Sequence, residues 1–172
     1  LKGRLEVFIS YLDKMPKKGR IGNEEINLNN NGITIEMKNI YFSYLPDKYI
    51  LNGVNLKIQP KEHVAFLGKI GSGKSTTAKL LVRLFDFDKG DILFNNKSIQ
   101  NISIYSLRKN IRYIPQHPKL FNRTLYENIV YSLNRNIPEK DILKLIESLN
   151  ISDIYKVFKN LMHKSVGKNG SK

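Results

Sequence analysis

The sequence predicts an α/β domain, and three observations support this fold class. Segments with the apolar pattern of strands alternate along the chain with segments of helical periodicity. A glycine-rich loop, residues 68–73, lies between one of these strands and the helix that follows it. The chain has 172 residues, of which 41% are hydrophobic, and this is enough for one well-buried core.

The composition excludes several classes of protein. The chain has no cysteine, so disulfide bonds, thiolate metal sites and a cysteine nucleophile are all excluded. Its longest apolar stretches are a few residues long, whereas a membrane-spanning helix needs about 20. The net charge is +14, but the basic residues are spread along the chain rather than gathered in a stripe. We therefore expect no membrane-spanning segment here and no nucleic-acid partner.

Residues 1–32 predict a helix followed by a linker. Between Arg4 and Met15 the apolar residues recur on one helical face, and Pro16 ends the pattern. Residues 17–32 are polar, rich in asparagine and without a sustained period, as is typical of a linker. The chain does not begin with methionine, so we expect it to be a fragment. The predicted helical face consists of Leu5, Phe8, Ile9 and Leu12.

The predicted strands lie in residues 33–131, which we expect to form the core of the domain. Residues 33–37 and 54–58 alternate between apolar and polar side chains, a pattern that predicts half-buried strands. Residues 63–67 are more continuously apolar, which predicts a buried central strand. The remaining predicted elements of this part are a helix over residues 75–85 and short strands over residues 91–94 and 111–114.

Residues 132–172 predict a helical region. One amphipathic face is expected between residues 142 and 149, and a further helix over residues 154–158. The tail from Lys164 to Lys172 is polar and contains glycine. The predicted amphipathic face consists of Ile142, Leu145, Ile146 and Leu149.

The strongest chemical signal is the loop Gly68-Lys69-Ile70-Gly71-Ser72-Gly73-Lys74-Ser75, which matches the P-loop pattern G-x-x-x-x-G-K-[ST]. A buried strand before it and a helix after it would aim backbone N–H groups and the helix dipole at phosphates. The glycines permit the backbone angles and the close approach that a Cβ would obstruct. In this pattern Lys74 reaches the β and γ phosphates, Ser75 ligates Mg²⁺ and Thr76 donates to the phosphate.

The segments around the loop resemble one branch of the P-loop proteins. Tyr41-Phe42-Ser43-Tyr44 and residues 50–56 resemble the start of the nucleotide-binding domain of ATP-binding cassette (ABC) transporters. Residues 85–92 are similar to the segment after the P-loop helix, and Ile114-Pro115-Gln116 to the Q-loop. Residues 120–129 resemble the exporter branch in particular. The resemblance implies an incomplete α/β P-loop ATPase domain, with an antiparallel β subdomain at its start and a helical subdomain at its end.

The resemblance also implies roles for individual residues. Tyr44 would stack on adenine, and Gln116 would contact Mg²⁺ and the region of the attacking water. The expected ligands are ATP and Mg²⁺, with Lys74 and Gln116 as the catalytic residues and Ser75 and Gln116 at the metal. The residues expected to bind the nucleotide are Tyr44, Gly68, Lys69, Ile70, Gly71, Ser72, Gly73, Lys74, Ser75 and Thr76.

The partners follow from the same resemblance. Residues 1–32 are similar to the exit from a transmembrane domain, which we expect to belong to the same polypeptide. A second nucleotide-binding domain would join in a head-to-tail dimer, with the ATPase domain on the cytoplasmic or organelle-internal face of a membrane. The tail resembles the segment just before the signature motif, so the signature, the Walker B aspartate, the catalytic glutamate and the switch histidine would follow it.

Two alternatives remain open beside an ATP-driven exporter. One is a nucleotide-binding regulatory module that does not hydrolyse ATP, and the other is a soluble ABC ATPase that acts on nucleic acid.

The sequence also departs from the usual family pattern at two positions. Lys61 stands where glycine is usual, which affects a turn, and Lys168 stands where an acidic residue is usual.

Overall fold

The computed structural model describes residues 2–16, 22–26, 32–46, 48–131, 133, 137–149 and 158–167; of residues 2–5 it describes the backbone. The chain divides into two compact units, Leu1–Tyr113 and Ile114–Lys172. Among the described helices, none is both long and apolar enough to cross a membrane.

The first unit is built on a four-stranded sheet in the order β2-β1-β3-β4. Each neighbouring pair is antiparallel, and Ile35 of β1 lies opposite Ile58 of β2 and Phe94 of β3. The strands predicted near residues 33–37, 54–58 and 91–94 are therefore confirmed, although β1 begins at Ile35. The strands are β1 (Ile35–Ser43), β2 (Tyr49–Ile58), β3 (Lys89–Phe94) and β4 (Lys97–Ser98).

A bulge interrupts the alternation of β1. Its pairing with β2 shifts between Met37 and Ile40, and Asn39 has a positive φ of 51°. Gly90 of β3 passes so close that a Cβ there would lie 2.4 Å from the carbonyl oxygens of Lys38 and Asn39. The extra residue in the bulge changes which face of the sheet the later side chains of β1 point to. Ile40 and Phe42 therefore lie in the core.

The core of the first unit lies between this sheet and two helices, α2 (Lys74–Leu81) and α3 (Ile104–Asn110). Each fully buried aliphatic or aromatic side chain stabilises the fold by about 1.5–3 kcal/mol relative to exposure. The packing holds α2 against the sheet through Leu80. The core includes Met37, Ile40, Phe42, Leu51, Leu80, Phe85, Ile92, Phe94, Ile102 and Leu107.

The prediction of a buried central strand over residues 63–67 is wrong for this structure. Residues 62–69 form no strand, and Leu67 is 93% exposed. The strand predicted over residues 111–114 is also wrong, and Ile114 is 86% exposed. A strand in the middle of a sheet needs hydrogen-bonding neighbours, and within the described part of the chain the four paired strands lie elsewhere.

Helix α2 is shorter than the predicted 75–85 because the chain turns after Leu81. Arg83 takes a left-handed φ of 48°, the conformation that often follows a helix end. Its buried guanidinium donates to the carbonyl oxygens of Ile99 and Gln100 and pairs with Asp86. Helix α3 was not predicted; the side chain of Ser103 caps it by accepting a hydrogen bond from the Ser106 N–H.

The predicted N-terminal helix is present as α1 (Lys2–Asp13). Its predicted apolar face is largely exposed: Phe8, Ile9 and Leu12 are each about half accessible. Part of the predicted linker packs on the fold, since Ile26 is buried and Glu24 forms a β-bridge with Ile102.

The second unit contains α4 (Leu125–Val130) and α5 (Glu139–Ser148). Ile142 and Ile146 of α5 are buried with Phe158 and Met162. The other two members of the predicted face, Leu145 and Leu149, are exposed, so that prediction is half correct. Residues 154–157 of the further predicted helix lie outside the described residues; residues 158–161 are helical.

Candidate nucleotide site

The glycine-rich loop leads directly into α2. Gly73 is the N-cap of this helix, with a φ of +91°, and a Cβ there would lie 2.6 Å from Leu51 Cδ2. Gly71 has a φ of +82° but open space around the position of a Cβ. Conformation therefore favours glycine at both positions, and at Gly73 an added Cβ would also require the buried Leu51 side chain to shift.

Lys74 folds back across the loop. Its ammonium donates to the carbonyl oxygens of Gly68 and Lys69, each at 2.8 Å, and to Ser72 Oγ at 3.3 Å. These contacts hold a positive charge over the concave side of the loop. An ammonium carries three donors and no acceptor, so it suits anionic oxygens such as those of a phosphate chain.

The beginning of α2 adds further donors. The first N–H groups of a helix have no partner inside the helix, and the dipole favours negative charge there. Gly73 has no side chain to cap them, and residues 71–76 with Ile50 line a hollow of about 140 Å³. Ser75 is exposed in this first turn, whereas Thr76 is buried. The arrangement fits a polyphosphate, and the exposed hydroxyl of Ser75 is an oxygen ligand of the kind that Mg²⁺ takes.

The structure brings Tyr44 to the first turn of α2, where Thr76 lies 32 positions further along the chain. The Tyr44 hydroxyl lies 3.4 Å from Thr76 Oγ1. The Tyr44 ring meets Phe42 and Phe85 edge-on, with centroid separations of 4.8 and 5.3 Å. A half-buried aromatic ring beside a phosphate loop can stack on a nucleotide base.

Sequence analysis missed one neighbour of Tyr44. Tyr11 of α1 stacks on the Tyr44 ring with an interplanar angle of 12°. Its position in the sequence carried no signal, because Tyr11 is not on the predicted apolar face of α1. Only the tertiary packing identifies it.

Gln116 belongs to the second unit, where it is exposed in a bend of the chain. Ile70 and Ser72 of the loop are also exposed, and they contribute backbone to the turn rather than packing. The roles of Gln116 and of Ser75 at a metal ion stay predictions.

The family model with the description "ABC transporter" matches residues 51–171, which include the loop, α2 and Gln116. The chain belongs to the ABC transporter family. The family resemblance and the P-loop ATPase fold are thereby confirmed, and membership implies that this domain binds ATP.

Individual ABC transporters agree with this assignment. The chain is 34% identical over 139 residues to "ABC transporter B family member 24, mitochondrial" of Arabidopsis thaliana, covering 81% of this chain and 20% of that protein. It is 29% identical over 164 residues to the ATP-dependent lipid A-core flippase of Francisella novicida, covering 95% of this chain and 27% of the flippase.

A solved structure gives the same result for the fold. A bacterial Atm1-family ABC exporter with ATP bound superposes with a TM-score of 0.78 at 27% identity, covering 92% of this chain and 27% of that chain. The chain thus spans between 20% and 27% of the length of these ABC transporters.

Proposed function

We propose that this chain is the ATP-binding part of an ABC exporter, which couples the binding and hydrolysis of ATP to the export of a substrate across a membrane. The observation that carries the proposal is the Lys74 ammonium held over the glycine-rich loop, at the open N-terminus of α2. Tyr44, whose hydroxyl lies 3.4 Å from Thr76 Oγ1, supplies a base-stacking surface beside the phosphate loop.

Different residues bind different parts of the nucleotide. Lys74 and the backbone N–H groups at the start of α2 bind the phosphate chain, and Thr76 adds a hydroxyl donor. The ring of Tyr44 stacks on adenine. By the family resemblance, Ser75 and Gln116 would be the ligands of Mg²⁺, which when bound neutralises phosphate charge, and Lys74 and Gln116 would support hydrolysis.

Hydrolysis requires more than this chain's phosphate loop. A group must orient or deprotonate the attacking water, and a further ligand must hold Mg²⁺ from the side opposite the phosphate loop. The family resemblance assigns these tasks to a Walker B aspartate and a catalytic glutamate. In a head-to-tail dimer, the signature motif of each domain would meet the phosphate loop of the other domain. We infer that the active protein contains these parts.

An exposed aromatic surface in the second unit suits contact with a transmembrane domain. Phe121 and Tyr131 are about half exposed, with ring centroids 4.5 Å apart, and the Arg123 guanidinium lies 5.5 Å from the Tyr131 ring. This surface falls in and beside the segment that resembles exporters, residues 120–129. We infer that it contacts the membrane domain, so that the protein is membrane-associated with its ATPase domain on the cytoplasmic or organelle-internal face.

The proposal is tested by ATP hydrolysis and ATP-dependent transport in the full-length protein. Lys74→Ala is expected to abolish both activities, because it removes the cation over the phosphate chain. Lys57→Ala, which removes an exposed cation from β2 of the same unit, is the matched control and is expected to retain both. ATP binding by the unaltered protein without any hydrolysis would contradict the proposal and favour the regulatory module.

A further inference from the structure

Helix α1 is fixed to the backbone that carries Tyr44. Ser10 Oγ donates to the Tyr44 carbonyl oxygen at 2.7 Å. One residue further along the helix, the Tyr11 ring stacks on the Tyr44 ring with a centroid separation of 5.8 Å. Two consecutive residues of α1 therefore contact the backbone and the side chain of the same tyrosine.

A second set of contacts holds the end of the α1 segment to the residue before Tyr44. Lys14 Nζ pairs with Asp88. The other carboxylate oxygen of Asp88 accepts from the Ser43 N–H at 2.8 Å and from Ser43 Oγ at 3.0 Å. The Asp86 N–H donates to the Lys14 carbonyl oxygen at 2.7 Å. The Ser43–Tyr44 segment is thus tied to α1 both directly and through the 86–88 loop.

The rings around Tyr44 differ in orientation. Phe42 and Phe85 stand at 87° and 88° to the Tyr44 ring, whereas Tyr11 lies nearly parallel to it. At ordinary contact distances between rings, a centroid separation of 5.8 Å requires a lateral offset of about 4 Å. Tyr11 therefore covers only part of one face of Tyr44, and the Lys79 ammonium lies 6.0 Å from the centroid of the Tyr44 ring.

We propose that Tyr11 is a positioning residue for nucleotide binding, which holds the Tyr44 ring in the orientation that accepts adenine. This inference rests on the proposed role of Tyr44. A ring that is already oriented loses less conformational freedom when a base stacks on it, so binding is tighter. Phe85 supports the arrangement, because it meets the Tyr11 ring edge-on at 4.8 Å as well as the Tyr44 ring.

The inference makes α1 part of the nucleotide site. It predicts that loss of the Tyr11 ring from α1 alters the affinity for the base and leaves the affinity for the phosphate chain unchanged. A purely structural role of Tyr11 would instead weaken both, because the loop and α2 belong to the same unit as α1.

The test measures equilibrium binding of ATP and of inorganic tripolyphosphate to the full-length protein. Tyr11→Ala is expected to weaken ATP binding about three- to tenfold, the range of one aromatic pair, and to leave tripolyphosphate binding unchanged. Tyr11→Leu, which keeps apolar bulk for folding, is expected to show the same selective loss. Tyr11→Phe is expected to retain full affinity. Phe8→Ala, which removes a 57% exposed ring from the same helix, is the matched control. It is expected to leave the affinity for both ligands unchanged.

A double-mutant cycle with Tyr44→Ala identifies the route of the effect. If Tyr11 acts through Tyr44, then Tyr11→Ala causes no further loss of ATP affinity in the Tyr44→Ala background. An equal loss in both backgrounds would overturn the inference, and so would unchanged ATP affinity in Tyr11→Ala and Tyr11→Leu. Increased ATP affinity would also overturn it, since the ring would then compete with the base.

The same measurements separate this inference from the proposed function. If Lys74→Ala bound ATP and tripolyphosphate as tightly as the unaltered protein, the phosphate role itself would fail. If Tyr44→Ala alone left ATP affinity unchanged, base stacking on Tyr44 would fail and the inference with it. A failure confined to the Tyr11 variants would overturn the inference and leave the phosphate site intact.

Discussion

Gly73 combines a left-handed backbone with a close neighbour. Replacement by alanine places a Cβ 2.6 Å from Leu51 Cδ2 at a φ of +91°, so both overlap and backbone strain arise. We expect Gly73→Ala to lower the free energy of unfolding by about 2–4 kcal/mol and to weaken ATP binding. Chemical denaturation followed by circular dichroism measures the first effect.

Gly71→Ala is the matched control for that substitution. Its φ of +82° gives comparable backbone strain, but the structure leaves open space around the added Cβ. We expect Gly71→Ala to lower the free energy of unfolding by a smaller amount, about 1–2 kcal/mol. Equal losses for the two variants would show that the contact with Leu51 is not what constrains Gly73.

Lys61 occupies a backbone conformation that favours glycine. Its φ is +65°, in the turn that follows β2, and this conformation suits the glycine that the family resemblance implies at this position. Lys61→Gly is expected to raise the free energy of unfolding by about 0.5–1 kcal/mol, because it relieves left-handed strain. Lys61→Ala keeps a Cβ and is expected to give no such gain; a similar gain from both would attribute the effect to the lost charge.

At the scale of elements, the first turn of α4 depends on a charged capping residue. Glu127 accepts from the Thr124 N–H and hydroxyl, and Thr124 Oγ1 accepts from the Glu127 N–H. These hydrogen bonds, chiefly the one from the Thr124 backbone and with help from the charge of Arg123, lower the pKa of Glu127 below its ordinary value of 4.5. The charged form is thus favoured in the folded state.

This lowered pKa predicts how stability depends on pH. The contribution of Glu127 is fully present above its ordinary pKa of 4.5 and is lost as the pH falls through the lower folded value. We expect Glu127→Gln to be less stable than the unaltered protein at pH 7, with the difference vanishing in strong acid where both side chains are neutral. Thermal unfolding measured from pH 3 to pH 7 tests this, and a difference that stays constant over the range would rule it out.

The elements differ in how far sequence predicts them. β1 and β2 were predictable because a period of two reflects one buried face. The apolar run at residues 63–67 indicates burial but does not specify a partner, and in this structure it lies unpaired and exposed. Helix α3 has seven residues, too few for a periodic signal, so it was missed.

The residues of the site also differ in how far the sequence predicts them. The loop and Lys74 were predictable because the motif is contiguous and each position has a local chemical reason. The role of Tyr44 at the base came from family resemblance and stays a prediction; its hydroxyl lies 3.4 Å from Thr76 Oγ1 of α2. The stacking of Tyr11 on Tyr44 joins residues 33 positions apart through tertiary packing, which no local pattern encodes.

At the scale of the whole molecule, the first unit contains both the phosphate loop and the ring for the base, together with the helix that packs on that ring. This arrangement connects the segment before the sheet to the nucleotide site within one compact unit. On the proposed roles, a change of Tyr11 would affect the base through Tyr44, whereas binding of the phosphate chain would depend on the loop and α2.

The central claim is that Lys74 and the loop bind the phosphate chain of ATP. Its most direct test is the equilibrium affinity for ATP of the full-length protein and of its Lys74→Ala and Lys57→Ala variants. Loss of a charge-assisted hydrogen bond of about 1.5–3 kcal/mol predicts at least a tenfold weaker affinity for Lys74→Ala, with Lys57→Ala unchanged. Equal ATP affinity in all three proteins would contradict the claim.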